Sequence, residues 1–449
     1  MHLPGRAHAR SMAAMLQQDI AERVLGRIWA SPRIAEDFHA ICATGGRFAG
    51  TESEARATSW LARRLAGATG RPVQREPIPY RGWTRGPASV HAAGRAWPAQ
   101  ALGRSPATPA GGLTARLLDL GRGTPAEIAA AGEAVRGAIL LVRHEFMLGT
   151  GHMHRRRKYE AARAAGAAGF LIACHEPGLL PVTGSAGDGG PGNIPCAGIS
   201  AEAGAALAAL SGQAVTLETS GRFADRTADN LLSIIEGQGP ELVVLSAHID
   251  GHDLAASAMD NASGLACALA VAEAVRDIVP GLARGVQVAL FNIEEWALLG
   301  SAAHLAALPE EERARRVLNV NLDSVAGAES LTALTSGAPG IAPFLRAALA
   351  PCGLHLAVAE PFFGNSDHAN FLRHGIPALR LAAGFDQPAS NLRFLLTPAD
   401  TPDKVTAAQL KHAAGIATLL VLAACATPAP PVPRMDAATA RRVTTPPPG

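Results

Sequence analysis

Six side chains fall in an order that suits a divalent metal. His248 and Asp250 end one apolar run and Asp260 follows shortly after. The adjacent pair Glu294-Glu295 closes a second run, and Asp323 a third. A neutral imidazole with carboxylates suits zinc, whose nitrogen and oxygen ligands lie at about 2.0–2.2 Å. In His248-x-Asp250 the carboxylate can accept the second imidazole N–H, which fixes the tautomer and raises ligand basicity. Asp260 can bridge two ions through its two oxygens. Of the adjacent pair, Glu295 can bind metal while Glu294 takes the proton from a metal-activated water, chemistry that cleaves amides. Acids at strand ends are common one at a time. The ordered placement of all six is what points to a site.

Such residues need elements that bring them to one edge. Leu242 to Ala247, Val286 to Phe291 and Val317 to Leu322 read as buried strands, with Ala378 to Leu381 a further one. Helices are expected over Leu265 to Ile278, Ser301 to Leu308 and Val405 to Leu422. Apolar strands alternating with helices predict an α/β fold, a mixed and mostly parallel sheet sandwiched by helices. In such sheets ligands sit outside the carboxyl ends of the strands, where these residues fall.

The flanking chain reads differently. Residues 18–75 are expected to be mostly helical, with a Gly-rich loop from Thr44 to Thr51 and Thr51 capping the second helix before Glu54. Residues 76–225 hold short apolar runs between Gly- and Pro-rich turns, with one helix from Lys158 to Ala165, as in a β-rich inserted unit. Residues 226–425 carry the main α/β pattern. The Pro-, Ala- and Thr-rich tail, 426–449, is expected to be disordered.

The runs Ser246-Ala247-His248-Ile249-Asp250-Gly251-His252-Asp253 and Ala258-Met259-Asp260-Asn261-Ala262-Ser263-Gly264 resemble the signature of the family-28 zinc metallopeptidases. That family includes bacterial leucyl aminopeptidases and glutamate carboxypeptidases. Asn292 to Ser301 resembles its Glu-Glu segment, Asn321-Leu322-Asp323 its next ligand, and Asn365-Ser366-Asp367-His368 its Ser-Asp-His segment. Arg136 to Val142, Lys158 to Gly169 and Ile194-Pro195 resemble the protease-associated domain that many members insert. The resemblance implies an exopeptidase with a co-catalytic zinc pair. His248 and Asp323 would serve one ion, Asp260 would bridge, Glu295 would serve the other, and Glu294 would be the general base.

One position departs from the pattern. Where the family carries its last ligand, a His, this chain reads Leu395-Leu396-Thr397-Pro398-Ala399-Asp400-Thr401. Leucine cannot coordinate a metal. Three outcomes stay open: one ion held with the second weak or absent, a substitute such as His368, His374 or His252, or a degenerate, non-catalytic binding protein. Asp367 and His368 are candidates for a substitute ligand or a substrate contact, and manganese or cobalt could replace zinc at so oxygen-rich a site.

Other classes recede. Lys and Arg total 40 against 38 Asp and Glu, a balance without the basic excess of a nucleic-acid binder. The run Arg155-Arg156-Arg157-Lys158 is expected to be a solvated helix start, and His152 and His154 an exposed polar loop. Arg380 and Arg393 could hold a substrate carboxylate or form structural ion pairs. Six cysteines without a C-x-x-C spacing exclude a zinc ribbon. There is no H-E-x-x-H and no G-x-S-x-G, and Gly187 to Gly192 fits a dinucleotide pattern by letter only, following no strand and opening no helix. Ala413 to Ala424 is too short an apolar stretch to span a bilayer. The first 25 residues lack the apolar core of an export signal, so a cytoplasmic protein is expected. The expected substrates are small peptides or N-acyl amino acids, with no nucleic-acid or membrane partner and an open oligomeric state.

Overall fold

The computed structural model describes residues 19–427 and 429–445. The stretch read for an export signal lies mostly outside these residues. Strand Leu242–His248 runs parallel to Gly285–Phe291 on one side and to Arg316–Leu322 on the other. Arg316–Leu322 is in turn parallel to Ala378–Ala383. Every residue of Leu242–His248, Gly285–Phe291 and Ala378–Ala383 is buried, the burial expected of strands covered on both faces. Leu331–Leu334 adds an antiparallel neighbour to Ala378–Ala383, so the sheet is mixed. Helix Ser263–Val275 packs against Arg33–Cys42, Glu52–Thr69 and Ala407–Ala426, while His368–Arg373 packs against Leu299–Ala307 and Ala437–Val443.

Local signals explain several boundaries. Thr51 accepts a hydrogen bond from the Glu54 backbone N–H and starts Glu52–Thr69 as expected. Thr406 and Gln409 form a reciprocal capping box at the start of Ala407–Ala426. That last helix reaches 20 residues with a mean hydropathy of 1.4, long and apolar enough by composition to cross a membrane, and 78% of its apolar window is buried in the protein. It is a central core helix, longer than its apolar stretch alone indicated.

Among the elements that sequence periodicity did not show are the two longest strands. Gln74–Ala92 and Ala214–Ile235 pair antiparallel from Gln74 opposite Leu232 to His91 opposite Thr216. This ladder carries the chain into and out of the inserted unit. It is half exposed and interrupted by Pro and Gly, which blurs the alternation. Inside the insert, Ile139–Arg143 lies between Leu113–Asp119 and Gly169–Ala173, all parallel.

Two expectations fail. The described part of the Pro-rich tail packs instead of being disordered: Val432, Met435, Ala440 and Val443 are buried, and Asp436 caps the helix Ala437–Val443. The basic run is not a solvated helix start. Arg155 is 5% exposed and Lys158 fully buried, its ammonium bonded to the Arg122 and Arg143 carbonyls and the Glu145 carboxylate. Lys158 fits there because three acceptors replace its water, a satisfaction that letter composition cannot reveal.

Candidate metal centre

Strand ends and the loops after them bring the predicted residues together. Among the described residues, two groups of three have ligand atoms all within 4.8 Å of one another: His248, Asp260 and Asp323, and His252, Asp260 and Glu295. Asp260 belongs to both. His248 Nε2 lies 3.1 Å from Asp260 Oδ1 and 3.7 Å from Asp323 Oδ1. His252 Nε2 lies 2.6 Å from Glu295 Oε1, yet neither of its buried ring nitrogens makes a well-aligned hydrogen bond. A buried imidazole with no hydrogen-bond partner is costly unless something else takes its lone pair. The donor set therefore fits two divalent cations.

His252, and not Leu396, stands with Asp260 and Glu295. Leu396 is 3% exposed, at φ +64°, in an apolar cluster with Met259, Ala382, Leu392 and Leu395. It packs between the peptidase core and the insert, and its carbonyl accepts the Thr183 N–H at 2.8 Å. His368, expected as a substitute ligand, belongs to neither group; it is wholly buried, its nitrogens lack hydrogen-bond partners, and burial pushes its imidazole down to about 3. His374 also lies outside both groups. The physical reason is geometric: His252 shares a loop with His248 and reaches Glu295, whereas His368 opens the separate helix His368–Arg373.

Asp250 does not do what its spacing suggested. The His248 Nδ1 faces the Asp250 backbone carbonyl at 3.0 Å, with the carboxylate at 3.8 Å. The carboxylate instead accepts the backbone N–H groups of Glu294 at 2.9 Å and Glu295 at 3.1 Å. It ties the first metal loop to the second, and burial pushes it up to about 7 against the pull of His248. Asp400 works similarly, accepting the N–H groups of Met259 and Asp260 at 2.8 and 3.3 Å. Asp323 is held by the Ser366 hydroxyl at 2.5 Å and the Arg380 guanidinium at 3.1 Å. Arg380 is thus a structural partner of a metal ligand, and Arg393 pairs with Glu176 at 3.2 Å. Asp367 accepts the Ser301 hydroxyl at 2.5 Å and lies in neither ligand group.

Electrostatics separates the adjacent glutamates. Burial works to raise both, but His252 beside Glu295 holds that carboxylate below its usual range. Glu294 is raised well above the carboxylate range by burial, in spite of His248. For His248, burial is outweighed by Glu294, Asp260 and Asp323, which keep its imidazole well above the usual value. Two neighbouring acids with opposed proton affinities can divide the work of holding charge and moving protons.

Sequence reading passed over Arg47, which orders the whole loop. It is fully buried and donates to the carbonyls of Gly45, Ile249, Ala256 and Ser257 at 2.8–3.1 Å. Gly46 beside it meets the same loop so closely that a Cβ would stand 1.9 Å from the His252 carbonyl oxygen. The signal available was an arginine inside a Gly-rich loop. Replacing Arg47 by Ala should leave several buried carbonyls unpaired and cost at least about 3 kcal/mol. Thermal denaturation checks this, and an unshifted midpoint would mean that the loop is held by other contacts.

Comparison with known proteins agrees with this geometry. Residues 230–421 match the family model described as peptidase family M28, and residues 108–207 that of the PA domain. The chain is a family M28 peptidase fold with an inserted PA domain. Its sequence is 28% identical over 392 residues to aminopeptidase YwaD of Bacillus subtilis, covering 84% of this chain and 81% of that one. A peptidase M28 precursor from Shewanella amazonensis superposes with a TM-score of 0.79 at 22% identity, covering 94% of this chain and 99% of the other. The zinc aminopeptidase BSAP of Bacillus subtilis gives 0.69 at 24% identity, with 91% and 95% coverage. The M28 match and the two ligand groups together make this chain a zinc-dependent metallopeptidase of the exopeptidase kind.

Proposed function

We propose that this peptidase is an aminopeptidase that releases the N-terminal residue of short peptides. Support comes from the sharing of Asp260 between two complete ligand groups, one of them completed by His252. The aminopeptidase relative in Bacillus subtilis supports the choice of the amino end. His248, Asp260 and Asp323 would hold one zinc ion, and His252, Asp260 and Glu295 the other. When bound, the pair supplies Lewis acidity to the scissile carbonyl and to water. Asp250 keeps Glu294 in place through its backbone, and Glu294 accepts the proton of the attacking water and returns it to the leaving nitrogen. Manganese or cobalt suits the same oxygen-rich set. The cytoplasm is the compartment we assign to it, checked by cell fractionation.

Elemental mass spectrometry of protein purified with zinc tests the reading. Two ions per chain, with dipeptide hydrolysis abolished by a chelator and restored by zinc, is the expected result. One ion or none, with no hydrolysis, would leave a degenerate binding protein instead.

A further inference from the structure

An ion pair joins the base of the insert to the loop that carries His252. Arg85 lies on the ladder strand Gln74–Ala92, where the pairing with Ala214–Ile235 shifts register between Arg85 and Ala88. Its Nε donates to Asp253 Oδ2 at 2.9 Å and to Oδ1 at 3.1 Å, and its Nη2 donates to Oδ1 at 2.7 Å. Asp253 directly follows His252 in the chain. The same guanidinium donates through Nη2 to the Thr183 hydroxyl at 2.9 Å and through Nη1 to the Ala101 carbonyl. It also lies over the rings of Phe48 and Trp83, 5.6 and 5.4 Å from their centres. Phe48 in turn packs on Trp296, the residue after Glu295, at 4.8 Å between ring centres. One side chain thus joins the ladder, the insert and the loop of the second ligand group.

That loop has no helix or strand to hold it, since residues 249–257 lie outside both. Arg47 fixes its two ends through the Ile249, Ala256 and Ser257 carbonyls, and Ser257 Oγ accepts the His252 N–H at 2.9 Å. Asp253 is where the loop meets the ladder. Both of its carboxylate oxygens are taken by Arg85, so His252 is the side chain that this stretch offers to Asp260 and Glu295. Burial works to raise the Asp253 carboxylate, but Arg85 outweighs it and holds the group below its usual range. A guanidinium fork fixes both the position and the direction of a carboxylate, which a single ammonium contact does not. The first ligand group has supports of its own: Ser366 and Arg380 on Asp323, and the Asp250 carbonyl on His248. None of these comes from the ladder.

We propose that Arg85 is a positioning residue for the second ion: by clamping Asp253 it presets His252 toward Glu295, so that the base of the insert governs the second metal site and not the first. The inference rests on the two-ion reading above. Groups that orient a metal ligand without touching the metal typically contribute about 10- to 100-fold to its affinity, and Arg85 reaches His252 through the neighbouring residue in that way.

Zinc binding by the metal-free full chain tests this, with bound zinc counted by elemental mass spectrometry over a series of buffered free-zinc concentrations. The wild type should fill to two ions per chain. In Arg85→Ala and in Asp253→Asn one ion should bind as in the wild type, while half-filling of the other moves to about 10- to 100-fold higher free zinc. Arg85→Lys keeps the charge without the fork and should fall between. Because both residues act through one contact, the double variant should lose no more than the larger single loss. Asp253→Asn, at a partly exposed turn, carries the test if Arg85→Ala does not fold. Equal weakening of both ions would overturn the proposal, since a general structural role predicts it, and so would unchanged half-filling of both in Asp253→Asn. A wild type that takes up only one ion would remove the two-ion reading and this inference with it. Two ions without hydrolysis would remove the aminopeptidase reading alone, because the titration does not depend on turnover.

Discussion

Glu294→Gln should abolish turnover while leaving two zinc ions on each chain. Glu294 belongs to neither ligand group, so the neutral amide removes a proton acceptor and not a metal ligand. Its backbone N–H is held by Asp250 in either case, so the loop keeps its shape. A general base of this kind contributes roughly 10²- to 10⁴-fold to the rate, and the loss should appear in kcat. Steady-state kinetics on a dipeptide, with the metal content measured on the same preparation, checks both halves. Unchanged kcat would remove Glu294 from the mechanism. Lost metal would place it among the ligands.

His252→Ala should take the metal content from two ions to one. This side chain completes the second group, buried with its Nε2 2.6 Å from Glu295 Oε1 and neither ring nitrogen in a well-aligned hydrogen bond. Loss of even an outer partner of a metal ligand costs about 10- to 100-fold in affinity, and loss of the ligand itself should cost more. Activity should fall with the second ion. Leu396→His makes the complementary case. An imidazole set among Met259, Leu392 and Leu395 has an apolar neighbourhood, so the count should stay at two while stability drops by about 1–3 kcal/mol. Two ions retained by His252→Ala would show that a different side chain completes the second group.

Much of this centre is legible in the sequence because its chemistry is carried by rare residue types at strand ends. His248, Asp260, Glu295 and Asp323 follow three apolar runs, and a parallel sheet delivers such positions to one edge. The fold class is legible for the same reason: buried parallel strands are continuous apolar runs, and their helices show a different period. The long ladder of Gln74–Ala92 with Ala214–Ile235 is not, because its half-exposed strands are stabilised by pairing across more than a hundred residues of chain and leave no local pattern.

Residue identity alone therefore determined that this chain builds an α/β sheet with a metal-binding edge, and that Leu396 cannot be a ligand. Which histidine stands with Asp260 and Glu295 was decided only in three dimensions. His252, His368 and His374 are equivalent as letters, and only the approach of the loop behind His248 to Glu295 separates them. The same holds for Asp250, whose spacing pointed to an imidazole and whose carboxylate went to two backbone N–H groups. It holds also for Arg155, a surface residue by composition that the fold buries. The reason is common to all three: a side chain's role follows from which groups share its low-dielectric surroundings, and those neighbours come from distant parts of the chain.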